Sequence, residues 1–548
     1  MAVGRHLDAR KILGDDAGPR AMPSPHADEC DVAIVGCGPV GAVAANFLGQ
    51  AGLRCVVLER DTDDHGQSRA FSCDDEALRI FQQIGLVDRL LADMIAVDQV
   101  DYTGVAGRPF AQVWLARLDF GSGYSPLHFF HQPALEATLR AGMRRFPWVT
   151  LRRGCEVTGL RAGAEAVTLA LRGASGPATL TARYVLGCDG ARSTVRRSLG
   201  VAMPGSRYAE PWLAISGYAE PAALRVPSTR FVCDPARPTF VALGPAGELR
   251  IERMIHRGET AATLERPEVV RTLVAPFVDP DRYRITRATI YGFGKHVAER
   301  WQVGRVFLVG DAAHQMPPFM GQGLVSGLRD VANLAWKLAA VLAGTADARL
   351  LATYEVERRA HTQAMIAASV RMGHVFLTRA PWLASARDAM FRALQQIDRV
   401  RRFICDFEFK PPPLHRAGFI AGGKRPRGGA EGTYFPQVRG AAGRSDELLG
   451  PGFAVVGLAA DPRTVNREGF LDGVNPRFIL VGPGTGEPGL IEMADADDRL
   501  ASWFRQHRAA LAIVRPDRHV FAAGPAHAAA SLGRDLAAAL RDPPGLAS

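Results

Sequence analysis

Apolar positions along this chain recur in two rhythms, and the order of those rhythms predicts an architecture. Short aliphatic runs at Asp31–Val35, Arg54–Leu58 and Arg305–Val309 read as buried strands of a parallel sheet. Helical spacing marks Pro39–Gln50, Glu76–Ile84, Ala134–Arg145 and a long stretch from Leu324 to Gly344, where Val331, Leu334, Ala335, Leu338 and Leu342 share a face. Val149–Leu151, Cys155–Leu160, Val167–Leu171 and Ala178–Val185 predict a meander. From Tyr208 to Gly292 the pattern changes to strands at Trp212–Tyr218, Thr229–Val232, Phe240–Leu243, Glu248–Met254 and Arg287–Tyr291, with one helix, Pro267–Val274. A last block alternates strands Phe453–Leu458, Arg477–Val481 and Ala510–Val514 with a helix at Leu500–Gln506.

This order predicts an α/β chain of mixed α+β character. A Rossmann-like domain comprises residues 30–100, 150–205 and 293–400, and a β-sheet domain, 101–149 and 206–292, is inserted into it. A Gly/Pro-rich linker, 401–440, leads to a small thioredoxin-like domain at 441–548, which holds no cysteine and therefore no dithiol chemistry. Residues 1–29, polar and rich in Gly and Pro, read as a mobile arm.

Composition narrows the partners. A net charge of +10 over 548 residues comes without a run of five Lys/Arg, so it predicts a general positive field for small anions and no nucleic-acid groove. No apolar run has the length of a membrane span, and the first residues lack the apolar core of a signal peptide. The eight cysteines stand singly, with no C-x-x-C and no Cys/His metal spacing; reduced thiols in a cytoplasmic protein without a metal are expected.

The chemistry lies in glycine turns. Gly36-Cys37-Gly38-Pro39-Val40-Gly41 joins the first strand to the first helix, and the second strand ends at Glu59-Arg60. Gly36 makes the tight turn, Gly38 lets a pyrophosphate approach the backbone, Gly41 packs helix on strand, and Glu59 receives a ribose. An acid there favours NAD or FAD over NADP. A second string of this form, Gly484–Gly489, reads as a loop because Pro488 would interrupt a helix. Two further turns follow at Cys188–Ser193 (CDGARS) and Gly310–Pro318 (GDAAHQMPP). The latter leads through Gly321-Gln322-Gly323 into the long helix, whose start offers N–H groups and a positive dipole end to an anion.

Together these motifs resemble the single-component flavoprotein aromatic hydroxylases of the para-hydroxybenzoate hydroxylase fold. Ala70–Asp88, Cys233–Pro238, Arg329–Leu338 and Val514–Arg518 resemble members acting on 3-(3-hydroxyphenyl)propionate or 3-hydroxycinnamate. Trp503–Phe521 is similar to the terminal segment of phenol-hydroxylase-like members. The resemblance implies an FAD-binding domain, an inserted substrate domain, and a monooxygenase of aromatic catabolism. Such an enzyme uses NADH or NADPH and O2, through a flavin C4a-hydroperoxide, to hydroxylate a phenol to a catechol. It assigns FAD to Gly36, Gly38, Pro39, Gly41, Glu59, Arg60, Arg69, Gln132, Asp189, Gly190, Gly310, Asp311, Pro318, Gln322 and Leu324. Pro317, Gly321, Gly323 and His314 are the catalytic candidates beside the flavin ring. Val325 stands where the family prefers Asn, which predicts the loss of one hydrogen bond to the flavin, on the order of 1 kcal/mol.

The substrate of a phenylpropionate hydroxylase would meet Arg237 or Arg253 through its carboxylate, and Tyr124, His128 or His131 through its hydroxyl. The expected partners are this small phenol and a second copy of the chain, with no nucleic acid and no membrane. A same-fold hydroxylase of a nitrocatechol, a chlorophenol or a polyketide aromatic stays open, as does a non-catalytic FAD-binding protein.

Overall fold

The computed structural model describes residues 28–63, 69–105, 107–208, 211–256, 258–440, 443–482 and 487–544; the expected N-terminal arm, apart from its last two residues, and residues 484–486 of the second glycine string lie outside these. The main sheet runs in the order Gln302–Val303, Val306–Leu308, Gly176–Gly187, Glu29–Val35, Cys55–Leu58, Val149–Arg152, and its last five strands are parallel. Glu29–Val35 buries all but its first residue, as a strand covered on both faces must. The expected meander needs one correction. Val149–Arg152 is the parallel edge beside Cys55–Leu58, while Glu156–Ala162 and Val167–Gly173 fold back antiparallel on Gly176–Gly187.

The second sheet has seven strands, in the order Tyr283–Tyr291, Trp212–Ala219, Glu248–Met254, Thr239–Leu243, Thr229–Val232, Val100–Thr103, Pro109–Val113. One face carries Leu213, Ile215, Val241, Leu249 and Ile251 and is covered by Val270 and Val274 of the helix Pro267–Val274. The other face carries Trp212, Phe231, Phe240, Met254 and Tyr291 and looks toward the main sheet's domain, where Phe319 and Phe376 join the same cluster. The segment after residue 126, expected with this sheet, lies elsewhere. Leu127–Phe130 pairs with Ser72–Asp74 and Met94–Ala96, and the helix Gln132–Met143 packs on Pro39–Gln50, where Asn46 Nδ2 donates to the Leu139 carbonyl (2.9 Å). Leu135, Leu139 and Met143 give that helix an apolar stripe that the main core buries.

The C-terminal unit is a five-stranded mixed sheet, ordered Ile491–Met493, Arg477–Val481, Ala454–Leu458, Leu511–Val514, Val520–Gly524. Arg499–His507 covers one face through Leu500, Trp503 and Phe504; Ala529–Arg541 covers the other through Leu532, Leu536 and Leu540. The second of these clusters also takes in Trp336 and Ala340 of the long helix Gln322–Leu342, so the unit is packed onto the flank of that helix.

Candidate active site

Four strand ends converge at the carboxyl edge of the main sheet, where an α/β fold places its ligands. Gly36 (φ +98°) turns beneath Cys188, whose carbonyl oxygen would stand 2.6 Å from a Cβ. A Cβ on Gly41 would overlap the Gly36 carbonyl. Gly38 differs, because nothing lies within 4 Å of where its Cβ would be and the helix it begins has no side-chain cap. The N–H groups of that first turn therefore face open space. Glu59 is pinned at the next strand end: its Oε2 accepts from Cys37 N (2.8 Å) and its Oε1 from Asp61 N (3.1 Å). Burial pushes the Cys37 thiol up to about 11, so it offers no thiolate here. Asp189 Oδ2 accepts from Val195 N (3.0 Å), while its Oδ1 is buried without a partner beside Gly190 (φ +74°). Arg60 is turned outward, 3.5 Å from Asp61.

Gln132 braces the Arg69 segment. Its Oε1 accepts from the backbone N–H of Arg69 (2.6 Å) and Ala70 (2.7 Å), and its Nε2 donates to Glu136 (2.7 Å).

The loop after Val306–Leu308 is held from behind by Asp330. Asp330 Oδ2 accepts from Gly310 N (3.1 Å) and pairs with His314 Nε2 (2.6 Å); its Oδ1 accepts from Arg358 Nε (3.0 Å). Burial pushes this carboxyl up, but His314 and Arg358 outweigh it and hold the group below its ordinary value. His314 is itself fully buried and packed on Trp301, with ring centroids 5.0 Å apart. It is part of the wall behind the turn, with its Nε2 committed to Asp330. Asp311, next to Gly310, is reached by solvent yet walled by protein; that desolvation raises its pKa, partly offset by His314 and Arg69. Pro317 is buried with its carbonyl accepting from Ser369 Oγ (2.8 Å), and Pro318 is exposed. Gly321 (φ +64°) starts the long helix, where a Cβ would strike Ser72 Oγ. At Gly323 there is again open space, and this helix too lacks a side-chain cap. Leu324 is half-buried against the main core, and the Gln322 side chain turns away from the opening to Asp74 and Arg329.

Opposite this loop lies the inner face of the seven-stranded sheet. Ala214 and Ser216 sit at its centre, flanked by Thr289 and Arg287 on one neighbouring strand and Glu252 and Arg250 on the other. All but Arg250 are partly exposed, unlike Leu213, Ile215 and Ile251 on the reverse face. Glu252 accepts from Tyr291 Oη (2.6 Å) and from Arg250 Nε (2.6 Å); Arg250 also reaches the Arg69 carbonyl (3.4 Å) and lies over the Phe71 ring. Arg287 is held below its ordinary value by desolvation and by repulsion from Arg250 and Arg69, which marks one end of the cleft as positive.

A family profile described as FAD binding domain matches residues 29–369. The 3-(3-hydroxy-phenyl)propionate/3-hydroxycinnamic acid hydroxylase of Klebsiella pneumoniae subsp. pneumoniae is 37% identical over 508 residues, covering 90% of this chain and 91% of that one. The chain belongs to the FAD-dependent aromatic hydroxylases. Its counterpart of the same name from Mycobacterium avium is 36% identical, over 96% of this chain and 93% of that one. Among solved structures, p-nitrophenol 4-monooxygenase PnpA from Pseudomonas putida is 27% identical with a TM-score of 0.65, over 70% of this chain and 99% of that one. The flavin-dependent monooxygenase PieE, in complex with FAD and substrate, shares the fold with a TM-score of 0.76 at 22% identity, over 94% of this chain and all of the other. A second profile, described as HcaD C-terminal domain, matches residues 432–539.

As a member of this family the enzyme carries FAD and uses NAD(P)H and O2. The residues present fit that cofactor: an uncapped helix start at Gly38, an orphaned buried oxygen on Asp189 and a side-chain-free helix start at Gly323 are features an extended dinucleotide would complete. Among the described residues no helix is long and apolar enough to cross a membrane.

Several candidates lie away from this cleft. Arg253 is on the reverse face of the sheet, donating to the Leu273 carbonyl (2.5 Å) over the Phe277 ring, because it shares strand parity with Leu249 and Ile251. Arg237 is engaged by Glu259 (2.5 Å) and the Met254 carbonyl (3.1 Å). Tyr124 is packed under Arg444 with its hydroxyl on Gln82 (3.0 Å). His128 alternates with Phe129, which faces the aromatic cluster, so its ring points the other way. His131 stands half-buried at the start of the helix Gln132–Met143, without capping it. Val325, two residues after Gly323, is fully buried in the main core. Arg250, Glu252 and Asp330 are the residues that the sequence reading passed over.

Proposed function

We propose that this hydroxylase acts on 3-(3-hydroxyphenyl)propionate or 3-hydroxycinnamate, placing a hydroxyl ortho to the existing one. Bound FAD supplies the reduction by NAD(P)H and the activation and transfer of oxygen. The chain's residues supply the rest. The first-turn amides at Gly323 favour negative charge at the flavin edge, by up to about 2 kcal/mol in a partly buried site. Gly36, Gly38, Gly41, Glu59, Arg69, Asp189 and Asp311 hold the cofactor's length, and Phe319, Phe293 and Tyr208 exclude water.

The support for this substrate is the cleft's two-ended character, with an aromatic wall at one end and, at the other, Arg69, Arg287 and Arg250, the last already paired with Glu252 (2.6 Å). A phenolic acid matches it better than a plain phenol. Tyr291, donating to Glu252, keeps its oxygen lone pairs for the substrate hydroxyl. Substrate-stimulated NAD(P)H oxidation across these two acids, 4-nitrocatechol and a chlorophenol, with product identification, tests the reading. Faster, better-coupled turnover of the nitrocatechol or chlorophenol would replace it. Arg250→Met is expected to raise KM for the phenolic acid about tenfold, the worth of one charged hydrogen bond. Arg253→Met, on the reverse face, is expected to leave KM within about twofold on the same physical ground.

The same reading takes the enzyme as a cytoplasmic homodimer. Its eight cysteines are free, and Trp382, Leu383, Met390 and Ile397 are large apolar side chains left exposed in neighbouring turns of the chain, where a second copy could cover them. A monomer in sedimentation at micromolar concentration would remove the dimer.

A further inference from the structure

One stripe of the long helix is polar although buried. Gln322, Arg329, Asn333 and Lys337 follow one another at seven, four and four residues, and each bonds away from both the cleft and the main core. At its lower half, Asn333 and Lys337 meet Glu357, and Asn333 also meets Asp517 of the C-terminal unit. At its upper half the partner is Asp74. Asp74 Oδ1 caps the helix Asp75–Gln83 through Ala77 N (3.1 Å). Its Oδ2 collects Arg329 Nη2 (2.6 Å), Gln322 Nε2 (3.2 Å) and Lys410 Nζ (2.9 Å).

Lys410 comes from outside this domain, at the start of the Lys410-Pro411-Pro412-Pro413 linker to the C-terminal unit. Its ammonium stands 2.9 Å from Asp74, 3.5 Å from Asp75 and 3.3 Å from Glu76. Three carboxylates gathered around one point would suit a divalent cation, and the lysine fills that place. The three prolines behind it are stiff, so this charge is delivered on a short rigid strap.

We propose that Lys410 is a positioning residue for the flavin-facing turn, acting through Asp74 and Gln322 on the first turn of the helix Gln322–Leu342. The chain is short: Lys410 fixes the Asp74 carboxylate, Asp74 fixes the Gln322 amide, and the next residue, Gly323, opens into the cleft. The linker that leads to the C-terminal unit thereby helps set where the flavin ring rests. This rests on the reading that residues 317–324 lie against FAD.

The test uses the full-length holoprotein and its apo form, with Lys410→Met, Lys410→Arg and, as a loop control, Gly323→Val. Amide hydrogen exchange of residues 318–327 is followed in both forms, and the flavin absorption spectrum and the yield of hydrogen peroxide in the holoprotein. Lys410→Met is expected to speed exchange in this segment about tenfold. It should also shift the flavin spectrum and raise the share of NAD(P)H lost to hydrogen peroxide, and Lys410→Arg should restore all three. If Lys410→Met does not fold, Lys410→Gln carries the same expectation. Unchanged exchange and spectrum in the lysine variants, with Gly323→Val perturbing the spectrum, would overturn the proposal. If Gly323→Val also leaves the flavin untouched, the placement of the loop fails and the proposal falls with it.

Discussion

Gly41→Ala is expected to abolish FAD retention, and Gly38→Ala to weaken FAD without disturbing the apoprotein. At Gly41 the added Cβ meets the Gly36 carbonyl, which is backbone and cannot rotate aside. Gly36 is itself wedged under Cys188, so the helix Pro39–Gln50 must shift away from its strand. Overpacking of this kind costs about 3 kcal/mol, or more than a hundredfold in FAD affinity if the binding-competent geometry bears it all. At Gly38 nothing in the protein is within 4 Å of the new methyl, and the residue's φ of −68° is ordinary for alanine. Its cost appears only when a pyrophosphate must occupy the same space. Flavin fluorescence quenching on titrating apoprotein with FAD measures both, and thermal unfolding of the apoproteins separates them. Gly38→Ala with wild-type affinity would mean that the open space at this helix start is not where the dinucleotide lies.

The contrast between these two glycines was legible in the sequence, because the spacing of the motif between two strands fixes which glycine turns the chain and which faces the ligand. The helix Pro267–Val274 and the strands of the inserted sheet were equally legible, each bounded by turn residues. Face assignment within that sheet was harder. In Glu248–Met254, parity groups Arg253 with Leu249 and Ile251, yet Met254 and Trp212 make the other face apolar too, so the pattern alone did not say which side held the cleft. Val325 shares a helical phase with Leu328 and Val331, and all three lie in the core. What His314 and Tyr124 bond to was not readable. Their partners, Asp330 and Arg444, are supplied by the tertiary fold, and a titratable residue in a motif looks the same whether it faces a cleft or a buried carboxylate.

Glu357→Gln is expected to loosen the C-terminal unit, at a cost of about 3–5 kcal/mol, the usual price of breaking one side of a buried ion pair. Glu357 is fully buried on the helix Thr353–Phe376 and accepts from Lys337 Nζ (2.7 Å), Arg515 Nη1 and Nη2 (both 2.8 Å), Asn333 Nδ2 (2.5 Å) and Phe419 N (2.7 Å). The amide keeps the shape but leaves Lys337 and Arg515 facing a neutral group, and it turns two acceptor sites into donors. Burial pushes the Glu357 carboxyl up, but Arg515, Lys337 and His415 outweigh it and hold the group well below the ordinary range. A lowered carboxylate contributes stability above its unfolded value, about 4.3, and loses it as pH falls through the folded value. Cleavage of the 401–440 linker by added protease in urea, followed as release of the C-terminal fragment, should therefore rise in the wild type only below about pH 4. In Glu357→Gln it should already be high at pH 7 and change little on acidification. A variant that matches the wild type at neutral pH would show that Asp517 alone carries Arg515, and that the seam's stability is set on the C-terminal side of the interface.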